Sequence, residues 1–281
     1  MKKLVTVFAL CAAVSAYAQV QSANIVGYNS KTLEDGLNMT ALQFKAVGST
    51  GSTLGLIFSG SMVDAAVTTP SLQVGSGIQD GDEIQFWDNE TGGFVQAFFT
   101  DEATTGDPID EDAETNMTGW YDINWTDGWL NSRVVDLGRA FWFVKPIGGT
   151  TLKVTMAGEI LTTSTMTWNC NAGLNMVGLN TPIAKKLNDI DWSASGALLG
   201  SGIQDGDEIQ FWDNTTGGFI QAFFTDEATT GDPIDEDSET NLTGWYDINW
   251  AVGWLDYTIE AGQGFWFVRP SAGDIVLPRG F

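Results

Sequence analysis

Glu83-Ile84-Gln85-Phe86-Trp87-Asp88-Asn89-Glu90-Thr91-Gly92-Gly93-Phe94-Val95-Gln96-Ala97-Phe98-Phe99-Thr100 is the stretch from which the rest of the chain can be read. Aromatic and β-branched residues dominate on both sides of Asp88 to Gly92, and the Asp, Asn and Gly of that segment supply turn chemistry. Two period-two runs around such a turn predict a β-hairpin. Working outward, Ala140 to Lys145 and Leu152 to Met156 read as strands separated by the turn Pro146-Ile147-Gly148-Gly149. Val26 to Leu33 and Ile160 to Thr167 are expected to open two successive units. Helical periodicity is nearly absent. Thr53 to Val67 is the best candidate for a short helix and Ile183 to Leu187 a weaker one. Short strands at this spacing predict an all-β fold of β-sandwich or small-barrel type.

The hairpin occurs twice. Gly75 to Leu130 aligns without gaps onto Gly200 to Leu255 at an offset of 125, and the 56 pairs differ at six places. Val95/Ile220 and Met117/Leu242 exchange one apolar residue for another, as expected where volume matters. Glu90/Thr215, Ala113/Ser238, Thr126/Ala251 and Asp127/Val252 are expected at exposed sites. Beyond the block, Phe141-Trp142-Phe143-Val144-Lys145-Pro146 meets Phe265-Trp266-Phe267-Val268-Arg269-Pro270 with one residue dropped. Upstream only Gly36-Leu37-Asn38-Met39 clearly matches Gly173-Leu174-Asn175-Met176. The expected architecture is two tandem homologous β units with at most one short helix each.

The beginning of the chain reads as an address. Lys2 and Lys3 form a basic head, Leu4 to Ala13 is an apolar run too short to span a bilayer, and Ala16-Tyr17-Ala18 is a small-x-small cleavage site. The expected division is a signal peptide over 1–18, a first unit over 19–157 and a second over 158–281, with export to the medium or the cell surface. Leu10 before Cys11 argues against a lipid anchor there. Removing 18 of 281 residues leaves 263, enough for two units that each bury a core. The remaining Cys170 has no disulfide partner in the mature chain and is expected as a small buried filler.

Composition excludes several chemistries. The sequence has no histidine, which removes the usual general base, the usual zinc ligand and every Ser-His or Cys-His pair. It contains no G-x-S-x-G, no Walker phosphate loop and no C-x-x-C. Gly75-Ser76-Gly77-Ile78-Gln79-Asp80-Gly81 lacks the dinucleotide spacing and leads into a strand, so it reads as a turn. The formal net charge of −24 argues against nucleic acid and anionic lipid as partners. No Lys or Arg occurs from Ala46 to Ser132 or from Leu187 to Val268. No later segment has the apolar length of a membrane helix, and Pro278 with the short strands argues against an outer-membrane barrel, so no membrane insertion is expected.

Ser22-Ala23-Asn24-Ile25-Val26-Gly27-Tyr28, Gly36-Leu37-Asn38-Met39, Phe86-Trp87-Asp88 and Gly262-Gln263-Gly264-Phe265-Trp266 before Pro270 together resemble a set of secreted tandem-repeat β proteins predicted in Verrucomicrobia, Planctomycetes and Lentisphaerae. The resemblance covers nearly the whole mature chain through short, mainly structural motifs. It implies a two-unit extracellular β fold and carries over no catalytic or binding residue. The first unit departs from the pattern, with Gly138-Arg139-Ala140-Phe141 where the second has Gly262-Gln263-Gly264-Phe265.

Two constellations offer binding chemistry. The loop from Asp101 to Glu114, repeated as Asp226 to Glu239, has seven carboxylates and no cation in each copy. Such dense hard oxygen ligands suit Ca²⁺, with Asp107, Asp110, Asp112, Asp232, Asp235 and Asp237 as candidate ligands. Ala103 and Thr105 stand where an EF-hand needs oxygen donors, so it is not that motif, and a merely solvated acidic loop is the alternative. The second constellation is aromatic. Trp87 and Trp142 lie in continuous apolar strands and are expected in the core. Trp120, Trp125 and Trp129, with Trp245, Trp250 and Trp254, sit among polar and turn residues and are the candidates for stacking on a sugar ring.

The favoured functional reading is a non-catalytic secreted or cell-surface structural or interaction protein whose partner is an envelope component. A bivalent extracellular glycan-binding protein, Ca²⁺-stabilised if the acidic loops hold metal, is the alternative. A glycoside hydrolase working through two carboxylates is the remaining enzymatic option, with no carboxylate pair singled out by the sequence.

Overall fold

The computed structural model describes residues 26–46, 52–58, 72–77, 80–101, 118–124, 126–149, 151–202, 204–226, 229, 242–249 and 251–278. The first half runs β1 (Val26–Leu33), β2 (Gly36–Ala41), β3 (Ser52–Thr53), α1 (Leu54–Ile57), β4 (Glu83–Asp88), β5 (Gly93–Asp101), β6 (Thr118–Asp122), β7 (Val134–Val135), β8 (Ala140–Lys145) and β9 (Leu152–Glu159). The second runs β10 (Thr165–Cys170), β11 (Gly173–Gly178), β12 (Lys185–Lys186), a 3-10 turn (Leu187–Asp189), β13 (Glu208–Asp213), β14 (Gly218–Asp226), β15 (Thr243–Asp247), β16 (Thr258–Ile259), β17 (Gly264–Arg269) and β18 (Gly273–Pro278). Each half builds a five-stranded antiparallel sheet, ordered β2-β8-β4-β5-β6 and β11-β17-β13-β14-β15. Two short ribbons complete each half, β1–β9 with β3–β7 and β10–β18 with β12–β16. The fold is all-β and consists of two similar units, as the alternation predicts.

The hairpin that opened the reading forms as β4 and β5, with Asp88 opposite Gly93. Asp88 organises the turn. One carboxylate oxygen accepts the Glu90 N–H at 2.8 Å, the other accepts the Thr91 hydroxyl at 2.9 Å, and Gly92 turns the chain at φ +66. Asp213 does the same with the Thr215 N–H and the Thr216 hydroxyl. Residue 90 or 215 gives this turn its backbone N–H in both copies, so exchanging Glu for Thr keeps the geometry, and the Thr215 hydroxyl adds a bond to Asp213.

Two expected elements come out differently. The strand expected over Ile160 to Thr167 is β10, which starts at Thr165 and ends at Cys170. Ile183 to Leu187 is not a helix. Lys185 and Lys186 pair with Ile259 and Thr258 as β12, and only Leu187 enters the 3-10 turn, because strand pairing outweighs a weak helical period. Of the helix expected over Thr53 to Val67, α1 accounts for Leu54–Ile57, and residues 59–67 lie outside the described ones.

Burial explains why β8 reads Ala-Phe-Trp-Phe-Val-Lys without polar alternation. Phe141 and Phe143 point into the first unit's core with Leu54, Ile57, Phe58, Ile84 and Trp120. Ala140 and Trp142 point the other way and join the second unit's core beside Met176, Phe211 and Trp266. A strand dry on both faces needs apolar residues at every position.

The exception is the last residue of β8. Lys145 lies 2.9 Å from Asp82, and Arg269 at the same place in β17 lies 3.1 Å from Asp207, all four side chains being out of water. Each Asp also accepts a backbone N–H, from Gln73 or Leu198. Burial pushes the Asp82 carboxyl above its ordinary range, outweighing the Lys145 and Gln73 bonds, and pushes Asp207 up to about 6. Removing one partner strands a buried charge, so Lys145→Met is expected to cost about 3–5 kcal/mol in denaturant unfolding at pH 8. The loss shrinks as the pH falls into the raised range in which the Asp82 carboxyl takes up a proton. A cost below about 1 kcal/mol at pH 8 would show that the pair does not hold the sheet end.

Candidate functional site at the seam between the units

The two units meet through a seam in which the ring contacts and the backbone bonds described next each have a counterpart with the halves exchanged. Trp87 meets Trp266 at 5.4 Å and 89°, and Trp142 meets Trp212 at 5.6 Å and 89°. Phe94 stands 6.2 Å from Trp266, and Phe219 stands 6.4 Å from Trp142. Thr40 bridges to Gln263 as Val177 bridges to Arg139. The Ala41 N–H donates to the Gly262 carbonyl at 3.0 Å, and the Gly178 N–H donates to the Gly138 carbonyl at 3.1 Å. Gly262 and Gly138 both have positive φ, which aims their carbonyls across the seam. This is the self-complementary pattern of a two-fold dimer, realised within one chain.

The seam also explains where the copies differ. A Cβ on Gly178 would collide with the Cβ of Ala41, and a Cβ on Gly264 would come within 2.6 Å of the Cβ of Ala140. Gly178 is the counterpart of Ala41, and Gly264 the counterpart of Ala140. Two methyl groups do not fit where the backbones approach most closely, so each pair is one Ala and one Gly.

Two clefts flank the seam. The first, of about 440 Å³, is lined by Asn29, Lys31, Asn38, Met39, Trp212, Asn214, Tyr257, Glu260 and Gln263 among others. The second, of about 360 Å³, is lined by the counterparts Trp87, Asn89, Asp136, Arg139 and Met176, with Arg133 and Asp88. Lys31 distinguishes the first. It occupies the place of Trp168, since both stand three residues before the backbone N–H that bonds the Asn38 or Asn175 side chain. Its amine donates to the Met39 carbonyl at 2.8 Å, the Thr40 hydroxyl at 3.1 Å and the Gly262 carbonyl at 3.3 Å, tying the units together. Burial among these neutral acceptors lowers its pKa to about 8.

The residues singled out from sequence are dispersed. Trp120 and Trp245 are core residues at 1% and 0% exposure, which corrects the expectation that they offer a face to a sugar. Their period-two position put them on the inner face, where they pack on Phe99 and Phe143 or on Phe224 and Phe267. Trp129 and Trp254 are half-buried, edge-on to Tyr121 and Tyr246 at 5.1 and 5.2 Å. Trp125 and Trp250 lie outside the described residues, as do Asp107, Asp110, Asp112, Asp232, Asp235 and Asp237. Trp142 is buried as expected, whereas Trp87 is half-buried at the seam. Cys170 is buried, and burial raises its thiol pKa to about 11, so it stays a protonated filler. At the exposed pairs Thr126/Ala251 and Asp127/Val252 the bonds common to both copies are made by the backbone N–H groups, to Asp122 or Asp247. The exchange of Thr126 for Ala251 gives up only a 3.3 Å local bond from the Thr126 hydroxyl to the Asn124 carbonyl.

Sequence reasoning missed Lys31, Trp212, Asn214 and Glu260 as one group. The available signal was Lys31, a cation facing inward in an alternating strand. Comparison of the chain with protein-family models, with curated proteins and with solved structures found no match.

Gly178→Ala is expected to destabilise the protein by about 1–3 kcal/mol through overpacking. Ala41→Gly in the same chain should restore most of that loss, and an additive double-variant cycle would refute the seam contact. Lys31 titrates at about 8 when folded against 10.5 as its ordinary value, so unfolded chains bind more protons between those limits. Wild-type stability therefore gains from this group as pH rises from about 8 to 10.5, and the gain is absent in Lys31→Met. Melting curves of both proteins across that range measure the difference.

Proposed function

We propose that the chain is a non-catalytic, secreted or cell-surface interaction protein whose two acidic β units act as a built-in dimer. The observation that supports this most is the reciprocal seam, which presents two copies of one surface from a single chain. Such duplication favours attachment to a repetitive partner, because a second contact on one chain is made at high effective concentration. Two carboxylates and the thiol are engaged in the packing. Asp82 and Asp207 are held in buried ion pairs, and Cys170 is a buried thiol of raised pKa. With no histidine in the sequence, the usual activating base is missing as well.

Fractionation of the producing cells tests this reading. The protein is expected in the envelope fraction, or in the medium as an assembly. A monomer that stays in the medium and binds neither cells nor envelope would overturn it.

A glycan-binding protein is the second reading, favoured by the indole, amide and carboxylate groups that line the seam clefts. Retention on an insoluble polysaccharide should then survive 1 M salt, because a neutral partner is not held by charge. Loss of retention in salt would point to an ionic partner instead.

A further inference from the structure

We propose that the cleft between Lys31 and Trp212 binds one unit of a neutral saccharide, and that each chain has a single such site. The inference rests on the glycan-binding reading and departs from its expectation of two equivalent sites.

The argument starts from how the same donors are used in the two clefts. In the second cleft, Trp87 donates its indole N–H to the Leu174 carbonyl at 2.9 Å. Asn89 donates its amide to the Asn175 side-chain oxygen at 3.0 Å. Both donors are thus taken up by the seam. Their counterparts in the first cleft are free. The Trp212 indole nitrogen is buried and finds no acceptor among the described residues. Asn214 is exposed, and its amide makes no cross-seam bond among them. Asn38, opposite, takes the Glu34 N–H on the oxygen whose counterpart in Asn175 also takes Asn89, so an acceptor position is spare as well. A buried N–H without a partner costs free energy, which a ligand oxygen would recover.

Charge then selects the ligand. Lys31 is the cation of this cleft, and its three N–H bonds are all made to protein oxygens, so none is left to clamp an anion. Glu260 adds a carboxylate to the lining, and the whole chain carries −24. An anionic ligand is therefore repelled, and a purely apolar one leaves the donors unmet. A ring with hydroxyl groups on its edge satisfies both conditions. It can accept from Trp212 and Asn214 and donate to Glu260 and Asn38, while its C–H face lies against Met39. The volume of about 440 Å³ lies within the range of small-molecule sites.

Titration calorimetry with cellotetraose, xylotetraose and chitotetraose tests this, with glucuronic acid as an anionic control. At least one neutral tetrasaccharide is expected to bind at one site per chain, and the control not at all. Trp212→Phe keeps the ring and removes the N–H, and with Asn214→Ala it should weaken binding at least about tenfold. Trp87→Phe in the second cleft should change affinity less than twofold. The indole N–H resonance of Trp212 should shift on binding in the unaltered protein, so the test does not depend on any variant folding. Two equal sites, binding indifferent to the Trp212 and Asn214 changes, or no binding by any of the three neutral sugars would overturn the proposal. Indifference to those changes with binding intact would leave the glycan-binding reading standing and remove only this cleft.

Discussion

Four small residues govern the packing of this protein. Ala41 against Gly178 and Ala140 against Gly264 bring the two backbones close enough for the carbonyls of Gly138 and Gly262 to reach across. That approach fixes the distance at which Trp87 and Trp266, or Trp142 and Trp212, meet edge to face. It also gives the sheet surface of each unit a dry partner. The edge strands β2 and β11 thereby bridge across the seam, Thr40 to Gln263 and Val177 to Arg139, which blunts the tendency of free edges to recruit other chains.

Near identity and divergence are distributed accordingly. The 56-residue block that repeats almost unchanged holds the hairpins, the aspartate-organised turns and inner aromatic residues that both units use alike. The pieces that meet on the pseudo-axis cannot both carry a methyl group, since the two would occupy one place. The same asymmetry reaches the clefts. Lys31 stands in one unit where Trp168 stands in the other, and the clefts on either side use their Trp and Asn donors differently.

Scarcity of cations gives the remaining ones structural weight. Lys145 and Arg269 are buried against carboxylates and Lys31 clips the units together, so these charges do not offset the acidic exterior as free surface cations would. A partner reached by such a surface is recognised by hydrogen bonding and stacking more readily than by anionic groups.

The period-two runs and the Asp-Asn-Gly turns determined the hairpins, because alternation and turn chemistry are local properties that survive any tertiary arrangement. The offset of 125 residues likewise determined that there would be two like sheets. Sequence could not tell which face of an indole is open. Trp120 and Trp245 have polar neighbours in the chain yet lie in the cores, because neighbours in sequence point to opposite faces of a strand. Nor could it show the seam, in which Ala41 meets Gly178 at a separation of 137 residues. Whether two methyl groups fit, and whether the Trp212 indole finds an acceptor, are settled by distances of a few tenths of an ångström between segments far apart in the chain, and only the tertiary structure sets those distances.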